Sequence, residues 1–260
     1  ADEFPVVPEP EQGDGFAVEA ADLRTGLVQV TFAASTDESH PVLTGVLAEF
    51  EGSALTLAAA DGFRLSMRRI PLIHPVPTPF SVIIPARALS ELMRIIGGQE
   101  EPVNISTTHP HNQILFKLTD TVLNSQLIDG NFPDVRRIIP ASSKTTVVLG
   151  REEILQACKR AAIFARDVAN IVTLSIQAGR ITVSADSAES GQGSTELMAN
   201  VEGDGLDIAF NVRFLIDVFS ALDTPQVSLE LNASTNPGLI KAVGDDDFVH
   251  VVMPMHLGRR

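Results

Sequence analysis

Residues 51–61, EGSALTLAAAD, are answered about 126 residues later by residues 178–186, AGRITVSAD. Each runs from a glycine-bearing turn through a short apolar or alternating stretch to an aspartate, the pattern of a strand leaving a hairpin. The same offset relates IIPARALSELMRII (83–96) to AFNVRFLIDVFSAL (209–222), with Pro85 standing where Asn211 stands. PVNIS (102–106) is matched by PQVSL (225–229), and LIDGNFPDVRRIIP (127–140) holds the place of FVHVVMPMHL (248–257). One spacing shared by several segments marks an internal duplication. It predicts an α+β fold of two repeated domains, 12–141 and 142–260, each with two helices on one face of strand-rich sheets. PASSKTTV (140–147) reads as the polar join, and residues 1–11 as a linker, so the chain is expected to start inside a longer protein.

Apolar spacing places the helices. In 151–166 the stripe is Ile154, Leu155, Cys158, Ala161, Ala162 and Ala165; in 211–222 it is Phe214, Leu215, Val218, Phe219 and Leu222. In 86–96 it is Leu89, Leu92, Met93 and Ile96, with Gly97-Gly98 as a stop; 20–34 carries a weaker stripe of Leu23, Leu27, Val30 and Ala34. These follow the helical repeat. Strands are predicted at 54–61, 112–118, 122–128, 180–186, 226–232 and 248–255. The end of the chain, VHVVMPMHLGRR (249–260), is unusual, because termini are ordinarily polar and frayed. An apolar run broken at Pro254 predicts a last strand that docks, followed by a tail held against an apolar surface.

Composition bounds the function. The chain is 44% hydrophobic and 20% charged, which is globular, and no apolar run approaches the roughly 18 residues a membrane helix needs. Its acidic, proline-rich start is no signal peptide. Cys158 is the only cysteine, so no internal disulfide forms, and on a helical stripe it reads as a buried thiol. A net charge of −14 argues against gripping nucleic acid over the whole surface, and leaves room for a local basic strip. Without Trp or Tyr, stacking platforms for single-stranded bases are disfavoured.

Catalytic and metal patterns are weak. His109 and His111 flank Pro110 with no third ligand nearby, so a hairpin turn explains them. Asp245–Asp247 lacks calcium-loop spacing and reads as a solvated turn; ESGQGS (189–194) reads as a flexible loop and not a phosphate cradle. No cofactor or metal is expected. Two bends stand out: ADGFRLSMRR (60–69) and IDGNFPDVRRIIP (128–140), where arginines sit inside Asp-Gly turns.

These stretches, with VIIPARALSELMRII, FNVRFLIDVFSAL and the terminal VVMPM, resemble the bacterial sliding clamp family, the beta subunit of DNA polymerase III, in order and spacing across nearly the whole chain. The resemblance covers the second and third of the family's three domains. It implies the DNA-clamp fold and a non-enzymatic processivity factor of the bacterial cytoplasm and nucleoid. The full-length form is a head-to-tail homodimer around duplex DNA. A chain without the first domain is not expected to close that ring.

The resemblance also implies a groove for Gln-x-x-Leu-Phe-type motifs of polymerase, clamp loader and repair proteins. The matching positions are Leu43, Ala60, Gly62, Phe63, Arg64 and Leu65, then Pro133, Arg137 and Ile138, then Val251, Val252, Met253, Pro254, Met255 and His256. Apolar walls, adaptable methionines and rim arginines suit such a site. Phe63 replaces a histidine common in the family, and Gly258-Arg259-Arg260 extends past the family's usual end. The four helical segments sum to +3 in a chain of −14, and Arg24, Arg87, Arg94, Arg151, Lys159, Arg160 and Arg213 are the candidates for facing DNA phosphates. Two rival readings are a hydrolase-like enzyme using Asp61 or Asp134 in an inter-domain cleft, and a plain DNA-binding protein. The latter predicts tight retention on linear duplex.

Overall fold

The structure, a computed structural model, describes residues 15–108, 112–166, 169–187 and 191–256. The expected linker 1–11, the His109/His111 pair and the Gly258-Arg259-Arg260 end lie outside these residues. By internal contacts the chain forms two compact units. One comprises Ala1–Gly62 and Ser66–Pro133; the other comprises Phe63–Leu65 and Asp134–Arg260.

The first unit runs β1 (Phe16–Val18), α1 (Ala20–Val30), β2 (Gly45–Glu51), β3 (Ala54–Ala60), β4 (Arg64–Pro71), β5 (Phe80–Pro85), α2 (Ala86–Ile96), β6 (Val103–Thr107), β7 (Gln113–Lys117) and β8 (Val122–Gln126). Strand order is β1-β6-β7-β8 in one sheet and β4-β3-β2-β5 in the other. The first two residues of β4 group with the second unit. Helix α2 buries Leu89, Leu92 and Ile96 at the expected spacing and stops at Gly97, whose φ of 51° suits glycine. Helix α1 buries Leu23, Leu27 and Val30 and packs with α2. At Gly26 a Cβ would overlap the end of the Ile70 side chain, so a larger residue there would force Ile70 to shift. Phe50 and Phe80 stack at 4.6 Å within the same core.

The second unit repeats the plan. It runs β9 (Thr145–Gly150), α3 (Arg151–Ala165), β10 (Ile171–Gln177), β11 (Arg180–Ser187), β12 (Gly191–Met198), β13 (Asn200–Gly203), β14 (Leu206–Asn211), α4 (Val212–Ala221), β15 (Gln226–Leu231), β16 (Gly238–Ala242) and β17 (Asp245–Val252). Its sheets order as β9-β15-β16-β17, with β13 added beside β9, and as β12-β11-β10-β14. These are the first unit's two orders over again. Asn211, the counterpart of Pro85, caps α4 by accepting from the Arg213 amide at 3.0 Å. Cys158 is buried on α3, and burial alone pushes its thiol up to about 12.

Three expectations need correction. The first helix ends at Val30, where Thr31–Ala33 tighten into a 3-10 turn, so it does not reach residue 34. Asp245–Asp247 belong to β17 and not to a turn. The chain reverses at Val243-Gly244, and Asp245 already pairs with Ala242. Gly191–Ser194 are the start of β12, paired residue by residue with β11, where a flexible loop was expected.

Candidate functional site

Strand β17 ends at Val252, three residues short of the end expected for it at residue 255. Beyond it the tail is held by its backbone. The Met253 amide donates to the Phe63 carbonyl and the Met255 amide to the Ala209 carbonyl, both at 2.8 Å. Pro254 between them has no N–H to give, which is why ladder pairing stops here. Met253 is left 37% exposed and Phe63 60% exposed, while His256 is also in solvent and Met255 is half-buried.

One residue beyond Phe63, Arg64 turns inward. Its Nη1 donates to Asp217 Oδ2 at 2.6 Å, and its guanidinium lies 4.4 Å above the Phe214 ring. Phe214 and Asp217 are three residues apart on α4 and so share one face of the helix. Together they clasp the arginine's flat cation by stacking and by charge. The Arg64 side chain is only 10% exposed. On β17, fully buried His250 is held well below its ordinary value, to about 3, first by burial and then by the Arg64 charge. It is therefore neutral at physiological pH.

The expected groove residues divide between the units. Leu43, Ala60, Gly62 and Pro133 belong to the first; Phe63, Arg64, Leu65, Arg137, Ile138 and Val251–His256 belong to the second. Within the second unit the structure joins Phe63 to Met253, and packs Leu65, Val251 and Val252 fully out of solvent. Those three support the surface and do not line it. Ala60 is likewise buried in its own unit. Ile138 is exposed on the 3-10 turn Val135–Ile138, and Arg137 there pairs with Asp134 at 2.8 Å. Sequence reasoning missed Phe214 and Asp217 as partners of Arg64. The signal available was an acid placed three residues after an aromatic on an otherwise apolar face. It also missed a small apolar cavity of about 10 Å³, lined by Phe210, Leu215, Leu231, Gly238, Leu239 and Val252 among others.

Of the residues expected to face DNA, Arg24, Arg87, Lys159 and Arg213 are exposed on their helices. Arg94 is exposed and paired with Glu91 at 2.9 Å, and Arg160 reaches Thr195 at 3.5 Å. Arg151 differs. It is half-buried, donating to the Phe219 carbonyl at 3.3 Å and pairing with Glu152 at 3.1 Å. Among the described residues no group of three His, Cys, Asp or Glu converges as a metal site, and no helix is long and apolar enough to cross a membrane.

Residues 17–134 match the family described as DNA polymerase III beta subunit, central domain, and residues 136–256 match its C-terminal domain. The beta sliding clamp of Bacillus subtilis (strain 168) is 34% identical over 258 residues, covering 98% of this chain and 68% of that protein. The crystal structure of the Bacillus subtilis DNA polymerase sliding clamp superposes with a TM-score of 0.94 at 33% identity, covering 99% of this chain and 68% of that one. A Pseudomonas aeruginosa sliding clamp bound to griselimycin superposes with a TM-score of 0.92 at 30% identity, covering 99% and 69%.

Proposed function

Because this chain belongs to the DNA polymerase III beta subunit family, the bacterial sliding clamps, we propose that it carries the clamp's partner-docking surface on its closing tail. The observation that carries this reading is the bond from the Met253 amide to the Phe63 carbonyl. It ties the tail to the Phe63 turn, where Phe63 and Met253 are both exposed apolar residues. Exposed apolar groups on a backbone fixed at both ends form a ready surface for a short peptide. A thioether beside a ring adapts to varied partners.

The partners are polymerase, clamp-loader and repair proteins bearing Gln-x-x-Leu-Phe-type motifs. Duplex DNA is held without sequence preference by helices that are less acidic than the rest of the chain. The division of the chain near residue 141 belongs to this reading, as do the bacterial cytoplasmic setting and the head-to-tail dimer of the three-domain form. The role is non-catalytic: the Asp134 carboxylate is engaged by Arg137 on an exposed turn. A Gln-Ala-Ser-Leu-Phe peptide titrated into the chain should bind with micromolar-order affinity and weaken on Met253→Ala. Equal affinity for wild type and variant would refute the tail's role.

A further inference from the structure

Resting on that docking reading, we propose that Arg64 is a positioning residue of the site: it anchors the Phe63 turn onto α4 and does not read charge on a partner peptide. The sequence alone suggests the opposite, an arginine at the rim of an apolar slot. In the structure its side chain is 10% exposed and points away from solvent. Asp217 meets its charge at 2.6 Å, and the Phe214 ring covers one face of the guanidinium at 4.4 Å.

The neighbouring carbonyl, that of Phe63, takes the Met253 amide. The turn is thus fixed by side chain on one residue and by main chain on the next. A planar cation suits this task because it stacks and donates at once, which an ammonium does not. With Arg64 engaged inside the fold, a peptide meets apolar groups, and a carboxylate at its variable positions gains nothing from Arg64.

The test uses the whole chain and two labelled peptides, Gln-Ala-Ser-Leu-Phe and Gln-Ala-Asp-Leu-Phe, with affinities read by fluorescence anisotropy. Amide hydrogen exchange is followed at Met253. Arg64→Ala and Asp217→Asn should weaken both peptides by one common factor, about tenfold, and should speed exchange at Met253. Arg64→Lys should restore affinity only in part. Asp217→Asn, a half-exposed isosteric change, keeps the test independent of gross unfolding, with the melting temperature as its check.

A selective loss of the acidic peptide in Arg64→Ala would overturn the proposal, because it would mean direct charge reading. So would unchanged Met253 exchange in a protein that still binds both peptides. Wild-type chain that binds neither peptide would instead sink the docking reading, and the proposal with it.

Discussion

The main-chain amide of Met253 donates to the carbonyl of Phe63 across 2.8 Å, joining the closing segment to a turn from the first half of the sequence. Neither side chain takes part in the bond. Trimming the Met253 side chain should therefore remove contact area without releasing the tail. Met253→Ala is expected to weaken a Gln-Ala-Ser-Leu-Phe peptide about tenfold, ~1.4 kcal/mol, with little change in melting temperature. Leu65→Ala should behave differently. Leu65 is fully buried, and its loss should lower folding stability by ~2–5 kcal/mol, read from urea unfolding.

His250 makes the fold acid-sensitive. Its folded value is about 3 against 6.5 for the free side chain, so between these limits the unfolded chain binds more protons. The stability this provides is complete above about pH 6.5 and is lost as pH falls toward 3. From pH 7 to pH 5 the contribution should drop by ~2 kcal/mol, on 1.36 kcal/mol per unit. Urea midpoints at the two pH values should differ accordingly, and a His250→Gln variant should lose that part of the difference.

Gly203 closes β13 with a φ of 96°, and a Cβ there would overlap the Lys144 carbonyl oxygen. Backbone against backbone leaves no side chain to yield. Gly203→Ala should therefore destabilise by more than ~2 kcal/mol, from strain and overlap together. Thermal unfolding compared with wild type measures it.

The helix cations should separate by burial. Replacing exposed Arg87 and Arg213 with serine should weaken the faint binding of linear duplex at low salt. It should flatten the slope of log affinity against log salt by about 1 for each phosphate contact removed. Arg151→Ser should instead lower the melting temperature, since that side chain is tied to the Phe219 carbonyl and to Glu152. Filter retention across a salt series, beside thermal melts, distinguishes the two outcomes.

The duplication was legible because helix spacing and turn chemistry are local. Leu89, Leu92 and Ile96 declare their face within three turns, and the Pro85/Asn211 correspondence places both helix starts. The end of β17 was not legible. Apolar character runs on through Met255, while pairing stops at Val252 ahead of Pro254, which has no N–H to give, and the Met253 amide bonds to Phe63, a partner far away in the sequence. The acidic run Asp245–Asp247 suggested a turn by composition. The two-residue reversal at Val243-Gly244 took that role and left the aspartates on the half-exposed and exposed start of a strand. Arg64 was marked as notable by its place in an Asp-Gly turn, but its inward direction depends on Phe214 and Asp217, which only the fold brings near.

The most direct measurement is the pattern of backbone amide shifts when Gln-Ala-Ser-Leu-Phe is added to the isotope-labelled chain. Binding at the tail should move the signals of Phe63, Met253 and Met255 most, saturating with the affinity found by anisotropy. Shifts confined to α1–α4, or none at Phe63 and Met253 at saturating peptide, would contradict the assignment of the docking surface.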